Sequence, residues 1–414
     1  MEKVNLKSII EERINGKPAN FTGAVFLTYT LNLSFFEQII LPTLERTGCK
    51  NILVLADPDG YHEAIKFGKR NVRYAGSRYV CSFLPRHGHN VAHSKLLLLV
   101  GKSQGRLLIG SGNVTMYGYS KNLENFDYFE YTEESAEPED IYPFEEVSLF
   151  LSQLCLQKSS SLMSEQYTHI INDIDWLNNV PEKPSGISIW HNLEYSLWEQ
   201  FNQWLESTGF GSIPLDGLCV FSPYYDKNIE QLKYFLKLLK PQQLTLYLNL
   251  KNTNLNGEKF KENWSKQLAF PKINNTQETK KDHVDRLLHG KLIVGKNANG
   301  SFCLSGSANM TRAAFMHTWE NGSNLEMVTL RTSQNSQAFD HLLNEDFFTE
   351  ISLNSLDEKL VQYNSEEPQH VFEDTLTILE LTYRNNKLSG RINFLPEVVE
   401  TIIIINLLKS VRIL

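Results

Sequence analysis

Cysteine is scarce in this chain and never paired. The five residues, Cys49, Cys81, Cys155, Cys219 and Cys303, lie far apart and form no CxxC motif, which argues against a disulfide framework and a thiolate zinc site and points to a reducing compartment. Long hydrophobic runs are missing as well. The start, Met1 to Lys7, lacks the apolar core of a signal peptide, and the late run Ile402 to Leu408 falls far short of the roughly 18 residues of a membrane span. The expectation is a cytoplasmic protein with no membrane partner. Positive charge is also in short supply, with 40 Lys and Arg against 48 Asp and Glu, a net charge of -8 and a pI near 5.8. This balance disfavours a coat of positive potential for non-specific nucleic-acid binding but leaves room for a local basic groove.

What the chain does have is a sentence written twice. His93-Ser94-Lys95 opens the apolar run Leu96 to Val100 and leads to Gly110-Ser111-Gly112-Asn113; His289-Gly290-Lys291 opens Leu292-Ile293-Val294 and leads to Gly306-Ser307-Ala308-Asn309. His93 and His289, Lys95 and Lys291, and Asn113 and Asn309 are each 196 residues apart, as are Glu130 and Glu326. One HxK triplet arises by chance in many chains. Four polar residues repeated in register around two hydrophobic strands indicate an internal duplication.

The flanking pattern agrees. Gly23 to Thr30, Leu33 to Thr47 and Asn51 to Ala56 read as strand, helix and strand, and Gly217 to Tyr225, Asn228 to Lys240 and Gln243 to Leu250 repeat that order. The predicted fold is α/β, with two duplicated halves, each a mixed sheet flanked by helices, related by a pseudo-twofold axis. The predicted divisions are a first half at 1–140, a helical connecting segment at 141–215, a second half at 216–350 and a β-rich C-terminal segment at 370–414. Trp190, Trp198 and Trp204 of the connecting segment read as core, between the halves, rather than as base-stacking residues. Residues 336 to 343 read as helical. Residues 375 to 394 read as a hairpin turning at Asn385-Asn386, and the apolar ending at Leu414 suggests a further domain that is cut short or closed by pairing of its last strands.

Two copies of His, Lys, Asn and Glu facing each other would make one site. A phosphodiester repels nucleophiles through its own charge, so cationic and amide donors aimed at its oxygens come first; Lys95, Lys291, Asn113 and Asn309 would supply them. One neutral imidazole would attack phosphorus while the other protonates the leaving oxygen and then activates water. Glu130 and Glu326 would orient the rings, and Glu124 and Glu320, also 196 apart, are the weaker alternative pair. Tyr117, Lys121 and Arg312, which follow the Asn turns, are candidate substrate contacts, with Tyr119 and Trp319 beside them; Thr115 and Thr311 read as turn or helix-cap residues. No metal or other cofactor is called for.

These motifs resemble the phospholipase D superfamily, whose members carry two HxK motifs, each followed by an Asn-containing turn, across roughly residues 20 to 330 of this chain. The resemblance implies a metal-independent phosphodiesterase or phosphatidyltransferase working through a phosphohistidine, with His93 as nucleophile and His289 as general acid. Lipid-acting members usually follow HxK with four residues and then Asp; here Val100 and Lys296 stand at that position. The chain is therefore closer to bacterial phospholipase D-like nucleases, including those of restriction and anti-phage systems. The implied partner is nucleic acid, DNA ahead of RNA, with room for a partner subunit or a missing C-terminal domain. A lipid phosphodiesterase is the second reading, and a catalytically silent scaffold the third.

Overall fold

The computed structural model describes residues 6–68, 72–84, 88, 90–134, 137–157, 161–178, 183–250, 252–264, 272–276, 288–343, 348–351, 377–384 and 387–393. The chain divides into two compact units, Met1–Asn364 and Ser365–Leu414.

The first unit contains β1 (Gly23–Thr28), β2 (Asn51–Ala56), β3 (Val80–Phe83), β4 (Leu96–Val100), β5 (Gln104–Gly110), β6 (Phe126–Thr132) and β7 (Ile187–His191). It continues with β8 (Gly217–Phe221), β9 (Gln243–Leu248), β10 (Lys272–Thr276), β11 (Leu292–Asn297), β12 (Gly300–Gly306), β13 (Met327–Ser333) and β14 (Phe348–Ile351). One sheet runs β3-β2-β1-β4-β5-β6 and the other β14-β10-β9-β8-β11-β12-β13-β7. In each, three parallel strands meet three antiparallel ones at the strand that follows the HxK motif: β1 pairs with β4, and β8 with β11. The central six strands of the second sheet therefore repeat the first, and β14 and β7 are added at its two edges. This is the predicted duplicated α/β architecture.

The strand Leu96–Val100 shows why the motifs sit where they do. All five residues are buried, and successive side chains point to opposite faces. Leu96, Leu98 and Val100 join one apolar cluster with Val25, Leu53 and Phe144, whereas Leu97 and Leu99 join another with Phe26, Ile52 and Phe36. A continuous apolar run belongs in a sheet covered on both sides. Helices Pro138–Ser152 and Ser161–Ile171 cover one side, and the segment Leu33–Arg46 the other.

The connecting segment does not form a layer of its own. Its helices pack on the first sheet, while β7 and the helix Leu197–Thr208 belong to the second. Trp190 lies in the core of the second half and Trp198 and Trp204 pack against it, so these rings sit inside one half rather than between the two. The halves are joined elsewhere, because Trp319, Leu325 and Met327 of the second are buried in the same cluster as Leu96 and Phe144 of the first. The expected helix over residues 336 to 343 shrinks to the turn Asp340–Leu342. Ser333 Oγ accepts from Asn335 N at 3.1 Å and Asn335 Oδ1 from Gln337 N at 3.0 Å, and such side-chain bonds compete with a helix.

In the second unit β15 (Thr377–Arg384) and β16 (Lys387–Asn393) form the predicted antiparallel hairpin, with Arg384 opposite Lys387. Asn385, Asn386 and the final apolar segment lie outside the described residues.

Candidate active site

Each motif histidine precedes the strand that centres its own half, yet each is fastened to the other half. Ala92 forms a parallel bridge with Leu325, and Leu288 with Leu123. His93 N donates to Leu325 O at 2.9 Å and His289 N to Leu123 O at 3.0 Å. The residue after each of those leucines is a glutamate, so the carboxylates cross over. His93 Nδ1 lies 2.9 Å from Glu326 Oε1, and His289 Nδ1 lies 2.8 Å from Glu124 Oε2.

Glu130 is not brought to either imidazole. On β6 it accepts from Arg106 Nε at 2.9 Å and from the Tyr128 hydroxyl at 2.5 Å. Arg106 is buried and also bonds the carbonyls of Ile9 and Glu12, so Glu130 helps to fasten the N-terminal helix Leu6–Glu11. Glu124 takes the place expected for Glu130 because the common register breaks after Thr115 and Thr311. The second half carries six more residues before its glutamate, a stretch containing the turn Trp319–Asn321. A sequence signal does survive the break: Asn-Leu-Glu occurs at 122–124 and again at 324–326.

Both glutamates are locked in the same way. Ser111 Oγ donates to Glu124 at 2.5 Å and accepts from Asn125 N at 3.0 Å; Ser307 Oγ donates to Glu326 and accepts from Met327 N at 3.1 Å. Glycine precedes each serine because the turn runs against the glutamate-bearing segment. A Cβ at Gly110 would lie 2.2 Å from Asn125 O, and one at Gly306 2.4 Å from Met327 O.

The lysines are buried beside the rings. Lys95 Nζ donates to His93 O, and Lys291 Nζ to His289 O at 2.5 Å. Among the described residues neither ammonium has a carboxylate ion pair, and Lys95 Nζ sits 5.6 Å from the centre of the Tyr29 ring, itself 5.4 Å from the His93 ring. Asn113 and Asn309 close the two sides differently. Asn113 Oδ1 accepts from Tyr29 N at 3.1 Å and Thr30 N at 3.2 Å, which leaves its amide hydrogens to donate. Asn309 Oδ1 is buried and has no partner among the described residues. Thr28 and Ser222 hold equivalent places, accepting from Val114 N and Met310 N at 2.9 and 3.0 Å, so Pro223 stands where Tyr29 does and has no N–H to give.

The charges form one system. Burial, with help from Lys95 and Lys291, outweighs the pull of Glu326 and brings His93 down to about 4. His289 is lowered by burial and then by Lys291, against Glu124. Burial and Lys291 hold Lys95 well below the ordinary lysine range, and burial brings Lys291 to about 8. Burial alone would raise both carboxyls. His289, Lys291 and Ser111 instead bring Glu124 to about 2, and His93, Lys95 and Ser307 lower Glu326. With ionised carboxylates taking the Nδ1 protons, each neutral ring keeps a lone pair on Nε2. Two unpaired ammonium groups beside those lone pairs suit an anion that nucleophiles must reach.

The remaining candidates fall outside this cluster. Tyr117 is exposed on the turn after Asn113, and the side chain of Lys121 lies outside the described ones. Arg312 is exposed and pairs with Glu230 at 3.2 Å. Tyr119 stacks on Phe126 with ring centres 5.6 Å apart, and Trp319 is core. Thr115 Oγ1 accepts from Gly118 N at 3.0 Å and Thr311 Oγ1 from Ala314 N at 3.3 Å, as turn and cap residues do. The sequence reading passed over Asp57, which is fully buried and holds Ala92 N at 2.8 Å, one residue before His93.

No family model and no curated protein matches the chain. Among solved structures it is similar to a mutant of yeast tyrosyl-DNA phosphodiesterase, with 10% identity over 80% of this chain and 85% of that one and a TM-score of 0.52. The yeast enzyme without that mutation gives 11% identity, coverage of 81% and 88%, and a TM-score of 0.49. Polyphosphate kinase from Porphyromonas gingivalis gives 11% identity, coverage of 85% and 46%, and a TM-score of 0.45. At these identities the likeness concerns the fold.

Proposed function

We propose that this chain, which has the phospholipase D-like fold, is a metal-independent phosphodiesterase that cleaves nucleic acid through a phosphohistidine intermediate, DNA being favoured over RNA. The observation that carries the reading is the crossed pair His93–Glu326 and His289–Glu124, set against Lys95 and Lys291. The nucleic-acid substrate draws support from the missing motif Asp and from the fold shared with a tyrosyl-DNA phosphodiesterase.

In this mechanism Lys95, Lys291 and the Asn113 amide hold the non-bridging oxygens and offset the charge that repels attack. His93 Nε2 attacks phosphorus in line and forms a P–N bond as the P–O bond to the leaving group breaks; that oxygen takes a proton from the His289 imidazolium. His289, now neutral, removes a proton from water. The water oxygen then displaces His93, which restores the free ring. Glu326 and Glu124 hold the Nδ1 protons throughout and stabilise whichever ring is cationic. A bound phosphate raises the proton affinity of both rings, which allows one of them to enter the cycle protonated.

The test is incubation with end-labelled single- and double-stranded DNA and RNA in excess EDTA, beside His93→Ala and His289→Ala. Cleavage that survives EDTA and vanishes in both variants is expected. Cleavage abolished by EDTA would end the metal-independent reading, and release of a phospholipid headgroup with every nucleic acid left intact would replace the substrate class.

A further inference from the structure

Outside the histidine–lysine cluster lies a cleft of about 600 Å³ between the helix Pro138–Ser152, the edge strand β7 and the helix Leu197–Thr208. Glu145 and Glu146 open into it from the first helix, Tyr195 and Trp204 from the far side, and Lys183 from its rim. Glu145 is nine-tenths buried, and among the described residues no hydrogen bond or ion pair reaches either carboxylate. Tyr195, by contrast, is 57% exposed and lines the same space. Burial is the largest influence raising both carboxyls, and only Lys183 pulls Glu146 the other way.

A largely buried carboxylate with no hydrogen-bond partner is costly, Lys183 at the rim offsets that cost only in part for Glu146, and the cost is relieved further when a cation arrives. Aromatic faces beside carboxylates favour a cation that also carries an apolar stem, because the ring quadrupole and the ring surface then both contribute. We infer that this cleft is a binding site for an organic cation, an alkylammonium or guanidinium group, seated between Glu145, Glu146, Tyr195 and Trp204. The chemistry fits a free polyamine and a Lys or Arg side chain of a peptide alike. The site is independent of the catalytic reading, since none of its residues touches the histidines or lysines of the cluster.

The full chain should be titrated with spermidine, with an acetylated Lys- and Arg-containing peptide, and with 1-pentanol as an uncharged control, followed by calorimetry and by tryptophan fluorescence, which Trp190 and Trp204 report. Saturable binding of at least one cation is expected, with no binding of the alcohol and a loss of affinity of about tenfold or more in Glu145→Gln and further in the double variant with Glu146→Gln. Tighter binding of the peptide than of spermidine would identify a protein partner as the source, and the reverse a free polyamine. Glu→Gln keeps the side-chain shape, and unchanged or higher melting temperatures would show that the variants are folded. Absence of binding to the unmodified protein, or equal binding by the folded double variant, would overturn the inference.

Discussion

The two halves of the cluster use the same parts with different tolerances. On the first side Asn113 is held by two backbone amides, those of Tyr29 and Thr30, and Tyr29 packs its ring against His93 and Lys95. On the second side Pro223 removes both the amide and the aromatic ring, and Asn309 Oδ1 is left buried without a partner among the described residues. Duplication therefore preserved the histidine, lysine and asparagine of each side but not the groups that hold the asparagine. A fixed amide costs no reorganisation when charge develops, whereas an unanchored one must be ordered during the reaction. The first half should contribute a rigid cradle, and the second half the side on which groups arrive and leave.

The widest test of this difference is to remove each histidine. Both His93→Ala and His289→Ala should lower kcat by about 10³-fold or more, but a labelled substrate should leave covalent phosphate only on His93 when His289 is the one removed. Label recovered on His289 would invert the assignment of the halves. Next in size are the carboxylates. Glu124→Gln and Glu326→Gln should each reduce kcat by roughly 10²-fold through loss of ring orientation, whereas Glu130→Gln should leave kcat alone and lower stability by about 1 kcal/mol, because its partner is Arg106. An effect of Glu130→Gln on kcat equal to that of Glu124→Gln would contradict the crossed pairing.

A smaller and graded effect concerns pH. In the proposed mechanism Lys291 is cationic to hold phosphate, and its charge is lost as pH rises through about 8, so kcat/KM should fall above that value; Lys291→Arg should move the alkaline limb upward. In acid the direction is set by His93. Its pKa in the folded chain, about 4, lies below the unfolded value of about 6.5, so the unfolded chain binds more protons between these values and stability should decline as pH falls through that window. Melting curves from pH 7 to 4 would show no such decline if His93 were solvated. The smallest effect should come from Asn113→Ala against Asn309→Ala. The first should cost more in kcat, and Pro223→Ala, which restores an N–H beneath Asn309, should raise kcat by at most a few-fold while losing about 0.5–1 kcal/mol of stability through the freer unfolded chain. Equal losses at the two asparagines would show that anchoring is immaterial.

Much of this molecule was legible before its fold was known. The apolar run after each HxK triplet indicated a hydrophobic strand, and a shared offset of 196 residues identified His93, Lys95 and Asn113 with their counterparts. These residues lie within or directly beside regular strands, where an insertion would disrupt the ladder, so the register was kept. The glutamates lie beyond a loop, where length is free to change. Six residues inserted there shifted the counterpart of Glu326 in the first half from Glu130 to Glu124. The repeated Asn-Leu-Glu triplet carried that information, yet its meaning depended on which strand it would approach.

By itself the sequence determined the duplicated α/β design, the two histidines and the lysine and asparagine attached to each, because these follow from local periodicity and repeated spacing. Only the tertiary structure decided that each imidazole takes its carboxylate from the opposite half, that Arg106 claims Glu130, and that Pro223 leaves Asn309 unanchored. The physical reason is that hydrogen-bond partners are chosen by proximity in space. The bridges Ala92–Leu325 and Leu123–Leu288 create that proximity between residues more than 160 positions apart.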